Sequence, residues 1–399
     1  MNAGLKHLKM EQIEKQRSLL HKEPPGLSGV PLERVQTKSP SLLEQGEALL
    51  RAGKVGVVLL AGGQGTRLGF AGPKGLYPVT PVKKKPAFQF FSEKIAAASE
   101  VNGKEIPLAV MVSEENAEAT REAFVSHDFW GLSENQVDFF IQESLPFLTK
   151  EGEPLHRLDG TLLTGPSGNG EVFHSLYKSE VGKKWEDAGI EVLNLLLIDN
   201  LLADPVDSAL IGLLGKGCEV AVKTIERLDE AESLGLLMEE KGKLFVKEYS
   251  EVDPKEMKRR RADGKLLYLY ANLSLFACTM DAAKEASQVE LPLHKAYKTL
   301  PENREAVTKG WKFETFIFDL FEHFQCEVLL YEREETFSPL KNRDGPSSPE
   351  TVARDLTDQT KRLLRDWTGE DFSLAQELDP RLFYLKERPP LTDSEFIAE

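Results

Sequence analysis

The chain has 399 residues, 41% of them hydrophobic, enough for one large α/β domain with extensions or for two domains. Its 50 Lys and Arg stand against 65 Asp and Glu, a formal charge of -15. That balance opposes broad nucleic-acid binding, since a phosphate backbone would be repelled, and means that an anionic substrate needs a locally basic site. No run approaches the roughly 20 consecutive apolar residues of a membrane helix, and the start MNAGLKHLKMEQIEK lacks the apolar segment of a secretion signal. Cys218, Cys278 and Cys326 are far apart in apolar surroundings. Buried thiols in a soluble, cytoplasmic protein are expected.

In chain order, residues 1–52 predict a polar helical arm, with helical spacing at Met10–Leu20, a break at Pro24-Pro25 and a second helix at Ser41–Ala52. From Val55 on, strand-like and helix-like runs alternate: Val55–Leu60, Ala87–Ala98, Leu108–Val112, Glu114–Val125 and Val137–Gln142. Such alternation predicts βαβ units on a mostly parallel sheet, with ligands at the carboxyl ends of the strands. Val192–Ile198 is nearly all apolar and ends in Asp199-Asn200, as a strand buried on both faces should. Helix Asp207–Gly215 and strand Glu219–Lys223 repeat the unit. Gly235–Leu237, Leu244–Glu248, the Asp263-Gly264 turn and Leu266–Leu275 predict antiparallel strands of a subdomain over about 233–330. Lys312–Phe324 has helical spacing, its phenylalanines assigned to the core. Ser348-Pro349 predicts the N-cap and first turn of a helix to about Trp367, before a short tail over 368–399.

The first strand runs into Leu59-Leu60-Ala61-Gly62-Gly63-Gln64-Gly65-Thr66-Arg67-Leu68-Gly69, then Gly72-Pro73-Lys74-Gly75. Its glycines permit φ > 0 and leave backbone N–H groups unshielded beside one arginine and one lysine, which is how a loop holds phosphates. It is not the dinucleotide fingerprint, since Leu68 stands where glycine is required, and it lacks the Gly-Lys-Ser/Thr of a Walker A loop. The basic runs Lys83-Lys84-Lys85 and Lys258-Arg259-Arg260-Arg261 lie beside turn signals and are expected to be solvated loops.

Five further segments follow in order: Gln142-Glu143-Ser144-Leu145-Pro146, Gly165-Pro166-Ser167-Gly168-Asn169-Gly170, Ile198-Asp199-Asn200, Glu248-Tyr249-Ser250-Glu251 and Ser338-Pro339-Leu340-Lys341-Asn342. With the glycine loop they resemble the UDP-sugar pyrophosphorylase family, most of all its UDP-N-acetylglucosamine branch, over roughly residues 50–365. The resemblance implies a Rossmann-like nucleotidyltransferase core, residues 53–367, with a mixed, mostly parallel sheet, helices on both faces, and short N- and C-terminal extensions. It implies a uridylyltransferase: UTP and a sugar 1-phosphate give a UDP-sugar and pyrophosphate with Mg²⁺, by in-line attack on the α-phosphorus. Such chemistry asks mainly for positioning and charge neutralisation, and no side-chain nucleophile.

By the same resemblance, Ala61, Gly62, Gly63, Gly65 and Thr66 cradle the nucleotide, with Gln142 and Gly168 at the base. Arg67 bridges phosphate oxygens, and Lys74 acts as a mobile charge on the α-phosphate and leaving group. Asp199 matches the metal aspartate, a hard oxygen ligand suited to Mg²⁺. Asn169, Gly235, Glu248 and Asn272 match sugar contacts, and Lys341 the lysine that reaches the sugar phosphate. Glucose-specific relatives carry histidine where this chain has Asn169, which points to N-acetylglucosamine 1-phosphate. Glu143-Ser144 and Glu171-Val172-Phe173 depart from the family's usual neighbours, so glucose 1-phosphate remains the alternative substrate, and a non-catalytic nucleotide-sugar sensor the alternative of another class. Retention of Arg67, Lys74, Asp199 and Lys341 argues against the sensor. The seven histidines show no zinc-ligand spacing, and His174 is expected to pack on a helix near the Asn169 loop.

Overall fold

The computed structural model describes residues 3–22, 29–300, 309–372, 377–385 and 397–398. The expected break at Pro24-Pro25 lies outside the described residues, as does much of the tail.

Eight strands form the spine of the sheet, in the order Gln36–Thr37, Cys326–Leu330, Val220–Glu226, Tyr270–Thr279, Val192–Leu197, Val55–Leu60, Leu108–Val112 and Val137–Ile141. Neighbours along this path are parallel except Tyr270–Thr279, which is antiparallel to both strands beside it. The sheet is therefore mixed and mostly parallel, as expected. Val55–Leu60 shows why a continuous apolar run was needed: Val57 and Leu59 enter one core, Val58 and Leu60 the other, and all four are buried. Helices Pro40–Arg51, Ala87–Asn102, Ala117–Ser126, Ser208–Leu214 and Pro349–Thr368 send Leu42, Phe88, Phe124, Leu210 and Val352 to the first core. On the other face Val172–Lys178, Val181–Asp187 and Met280–Ala286 supply Phe173, Trp185 and Met280.

Most predicted elements exist with shifted ends, and three expectations need correction. Lys312–Phe324 is not a helix: Lys309–Glu314 is a strand paired antiparallel with His294–Thr299, followed by the 3₁₀ segment Ile317–His323. Its phenylalanines mimic helical spacing because the 3₁₀ turn buries Phe318 and Phe321 while the strand buries Phe313, so their assignment to the core holds. The predicted Leu266–Leu275 strand is Tyr270–Thr279. Its first residues lie between Gly235–Glu240 and Val220–Glu226, and its last between Val220–Glu226 and Val192–Leu197, with an irregularity between Asn272 and Phe276 where Ser274 takes φ 53°. The tail, which carries little hydrophobic pattern, packs back: Leu378 and Leu382 are buried, and the Glu377 carboxylate accepts from the N–H groups of Val82 and Lys83. The arm also joins the fold, through Val30–Pro31 against Gly235–Glu240 and Gln36–Thr37 against Cys326–Leu330.

Chain order places the crevice. From Val55–Leu60 the chain adds Leu108–Val112 and Val137–Ile141 on one side, then returns to Val192–Leu197 on the other. This reversal is a topological switch point, where open α/β sheets bind ligands.

Candidate active site

Four parallel strands end side by side at this point, and each delivers a candidate: Ala61 to Gly63 after Leu60, Asn116 just beyond Val112, Gln142 after Ile141, and Asp199 just past Leu197. The glycines act mainly through close approach rather than through positive φ. Gly69 and Gly72 are the left-handed residues of the loop, at φ 70° and 141°. A Cβ on Gly62, by contrast, would push the Gln142 amide aside, and a Cβ on Gly65 would lie 2.9 Å from Phe70. Gly63 is exposed and faces open space. Its carbonyl accepts from the backbone N–H of Lys74 at 3.1 Å, which folds the Pro73-Lys74 segment back over the loop.

Asn116 was not singled out from the sequence. It is fully buried, its Nδ2 donates to Ala61 O at 3.0 Å and its Oδ1 accepts from Ser113 N at 2.8 Å. It pins the start of the glycine loop to the next strand, and only the three-dimensional adjacency of the strand ends exposes that role.

Lys74 and Asp199 meet: Nζ is 3.5 Å from the carboxylate and also donates to Leu340 O at 3.1 Å. The Ser338–Asn342 segment is locked beside them. Leu340 N donates to Asp199 O at 2.7 Å, and the buried Asn200 accepts from Ser338 N at 2.8 Å while donating to Thr336 O at 2.9 Å. Three segments distant in sequence thus converge on one lysine and one carboxylate. Lys341 is exposed beside this point, and its charge acts on the Glu248 carboxyl. Arg67 is exposed on the 3₁₀ turn Thr66–Leu68 and makes no ion pair among the described residues, so its guanidinium is free for an anion. Thr66 is likewise exposed.

Gln142 is buried and its Nε2 donates to Gly168 O. Gly168, at φ 92°, lies so close to Thr315 O that a Cβ could not be placed there. Asn169 Oδ1 accepts from Ile317 N at 3.1 Å, tying the Gly168-Asn169-Gly170 turn to the 3₁₀ segment. His174 sits on helix Val172–Lys178 with its side chain 49% exposed and Nε2 3.8 Å from Glu143 Oε1, a surface position rather than that of a base in the crevice.

On the opposite side Gly235 pairs with Asn272, and a Cβ on Gly235 would lie 3.2 Å from Glu248 Oε1, so these three candidates form one cluster. Burial, together with the neighbouring Glu251 carboxylate, pushes the Glu248 carboxyl up, while His294 and Lys341 act against that rise. His294, also unassigned from sequence, is held between Glu251 and Asp319. Of the basic runs, Lys83, Lys84, Lys258, Arg259 and Arg260 are exposed as expected, whereas Lys85 is largely buried and paired to Glu93 at 2.6 Å and Arg261 is half-buried. The three cysteines are free, Cys218 and Cys278 buried and Cys326 half-buried. Burial pushes the Cys218 thiol up to about 12.

Among the described residues no three of His, Cys, Asp and Glu form a cage for a metal ion. Asp199 still fits one, because Mg²⁺ is commonly held by one or two carboxylates plus substrate phosphates and water. No helix among the described residues is long and apolar enough to cross a membrane.

A mostly parallel sheet with a glycine loop at its switch point and a lysine and carboxylate at the loop's mouth is the fold of a nucleotidyltransferase. The chain belongs to the UTP–glucose-1-phosphate uridylyltransferase family, whose model matches residues 8–345. The family's substrates are a nucleotide and a sugar phosphate, and its reaction generally uses a divalent metal. The chain is 33% identical to the UDP-N-acetylglucosamine pyrophosphorylase of Saccharomyces cerevisiae, over 75% of this chain and 67% of that one. It is 32% identical to the human UDP-N-acetylhexosamine pyrophosphorylase-like protein 1, over 93% and 78% of the two chains. The crystal structure of the Trypanosoma brucei UDP-N-acetylglucosamine pyrophosphorylase in complex with inhibitor superposes with a TM-score of 0.76 at 28% identity, covering 90% of this chain and 76% of that one.

Proposed function

We propose that the chain transfers a uridylyl group from UTP to N-acetylglucosamine 1-phosphate, releasing pyrophosphate and UDP-N-acetylglucosamine, in the cytoplasm. The observation that carries this reading is the meeting of Lys74, Asp199 and the Lys341 segment at the end of the glycine loop. An oxygen of the sugar phosphate, already ionised, attacks the α-phosphorus of UTP while the bond to the pyrophosphate oxygen breaks, so no general base is required. Gln142 holds the uracil, and Arg67 and the loop N–H groups hold the phosphates. Lys74 neutralises charge that grows on the α-phosphate and leaving group, Lys341 steers the sugar phosphate, and Glu248, Asn272 and Asn169 take the sugar. Mg²⁺, ligated by Asp199, would supply further charge neutralisation on the phosphate oxygens. We take residues 53–367 as the catalytic domain, with 1–52 as an arm and 368–399 as a tail.

Glucose 1-phosphate is the second reading, favoured by the matched family's own description. Pyrophosphate release with a panel of sugar 1-phosphates tests both. Turnover with N-acetylglucosamine 1-phosphate above the rest is expected, and none with any sugar phosphate would reject the enzyme in favour of a binding protein.

A further inference from the structure

His294 opens the strand His294–Thr299, and both of its ring nitrogens meet carboxylates: Nδ1 lies 3.1 Å from Glu251 Oε1 and Nε2 2.9 Å from Asp319 Oδ2. The side chain is only 21% exposed, and its ring packs on Phe316 at 4.7 Å between centroids. A neutral imidazole has one N–H, so between two ionised carboxylates only the imidazolium satisfies both contacts. Burial alone would lower its pKa, but the hydrogen bonds and charges of Asp319 and Glu251 outweigh it and push the ring up to about 9.

The three residues stand on different elements. Glu251 closes the 3₁₀ turn that begins right after Glu248, and Asp319 lies on the 3₁₀ segment Ile317–His323, whose first N–H is held by Asn169. A chain of contacts therefore runs from Asn169 through Ile317 and Asp319 to His294, then through Glu251 to Glu248. Other charges facing this cluster are Lys247, whose Nζ is 3.5 Å from Glu251 Oε2, and Lys341, which acts on Glu248.

We propose that His294 is a positioning residue for the sugar-phosphate half of the site: as an imidazolium it clamps the Glu248–Glu251 turn to the segment carried by Asn169 and so sets where the Glu248 carboxylate meets the sugar. The inference rests on the uridylyltransferase reading. A residue that merely supported the fold would disturb both substrates alike, whereas this clamp bears directly on the Glu248 turn and on the Ile317 segment bonded to Asn169, and reaches the base side only at one remove, through Gly168.

His294→Gln retains donor hydrogens on one atom and cannot span both carboxylates. With folded variant confirmed by circular dichroism, KM for N-acetylglucosamine 1-phosphate rises on the order of tenfold, while KM for UTP and kcat stay within about threefold. Glu251→Gln produces the same split, and the double variant adds little to either single one. Imidazole nitrogen NMR of the substrate-free wild-type protein shows both ring nitrogens protonated at neutral pH, with a midpoint near 9. An unchanged sugar-phosphate KM in folded His294→Gln, an equal rise in both KM values, or a midpoint at the ordinary 6.5 overturns the proposal. Wild-type protein that turns over no sugar phosphate, yet titrates near 9, would instead reject the enzymatic reading and leave the charged clamp in place.

Discussion

The two halves of the crevice are built differently. On the proposed nucleotide side the surface is largely backbone: a glycine loop at a strand end, spaced by close approaches to Gln142 and Phe70 and anchored by the buried Asn116. On the proposed sugar side it is largely side chain: Glu248 and Asn169 come from separate segments, linked behind the surface by His294 between Glu251 and Asp319 and by the Ile317 N–H on Asn169. Backbone recognition suits phosphates shared by every nucleotide, and a side-chain network suits a partner that must be told from its near relatives. The two halves should therefore fail in different ways, and mutations can separate them.

The largest effect is expected where the halves meet. Asp199→Ala should lower kcat on the order of a thousandfold, since it removes the carboxylate proposed to hold Mg²⁺ and leaves Lys74 without its ion-pair partner. Lys74→Ala should cost about a hundredfold in kcat, because its charge serves the transition state more than bound UTP. A wild-type kcat with only KM raised would make Lys74 a binding residue, and an unaltered metal titration in Asp199→Ala would remove Asp199 from the metal.

Next comes sugar choice, which belongs to the side-chain half alone. A pocket fitted to the acetamido group leaves polar groups unpaired with glucose 1-phosphate, worth roughly tenfold to a thousandfold in kcat/KM. Steady-state kinetics with both sugar phosphates decides it, and equal values would place glucose 1-phosphate first without touching the nucleotide half.

A smaller and purely steric effect separates loop glycines of the backbone half. In Gly62→Ala the new methyl displaces the Gln142 amide, so UTP affinity should fall through the loss of that side chain's placement. In Gly63→Ala it points into open space, so Tm should hold within about 2 °C while KM for UTP rises several-fold, roughly 1 kcal/mol of lost contact with the nucleotide. An unchanged KM in Gly63→Ala would mean that the space beside Gly63 is not where the nucleotide lies.

The same contrast explains what the sequence made legible. The parallel strands announce themselves as apolar runs, and the glycine loop is contiguous, so its spacing can be read directly. Asn116 and His294 could not be found that way. Asn116 falls inside the helix-like run Glu114–Val125, and its partner Ala61 follows a different strand, Val55–Leu60. His294 opens a ribbon whose second strand, Lys309–Glu314, begins a run whose phenylalanine spacing imitates a helix until the pairing with His294–Thr299 is seen. The tail was weakly patterned because its contacts to the core pass through single residues such as Leu382 and Glu377.

The smallest expected effect is a pH dependence of stability that belongs to the sugar half. His294 has its folded pKa pushed from 6.5 up to about 9 by Asp319 and Glu251, against the lowering effect of burial. A group with a raised folded pKa binds its proton more tightly in the native state, so its contribution is fully present below pH 6.5 and is lost as pH rises through about 9. Above that, the neutral ring can donate to only one of its two carboxylates. Tm measured from pH 6 to 10 should therefore decline by a few degrees more in the wild type than in His294→Gln, on the order of 1 kcal/mol at the alkaline end. Gly63, Gln142 and Asn116, which shape the nucleotide half, do not titrate. Parallel declines in wild type and variant would show that His294 is neutral at pH 7, and would leave the Glu248 turn held by packing alone.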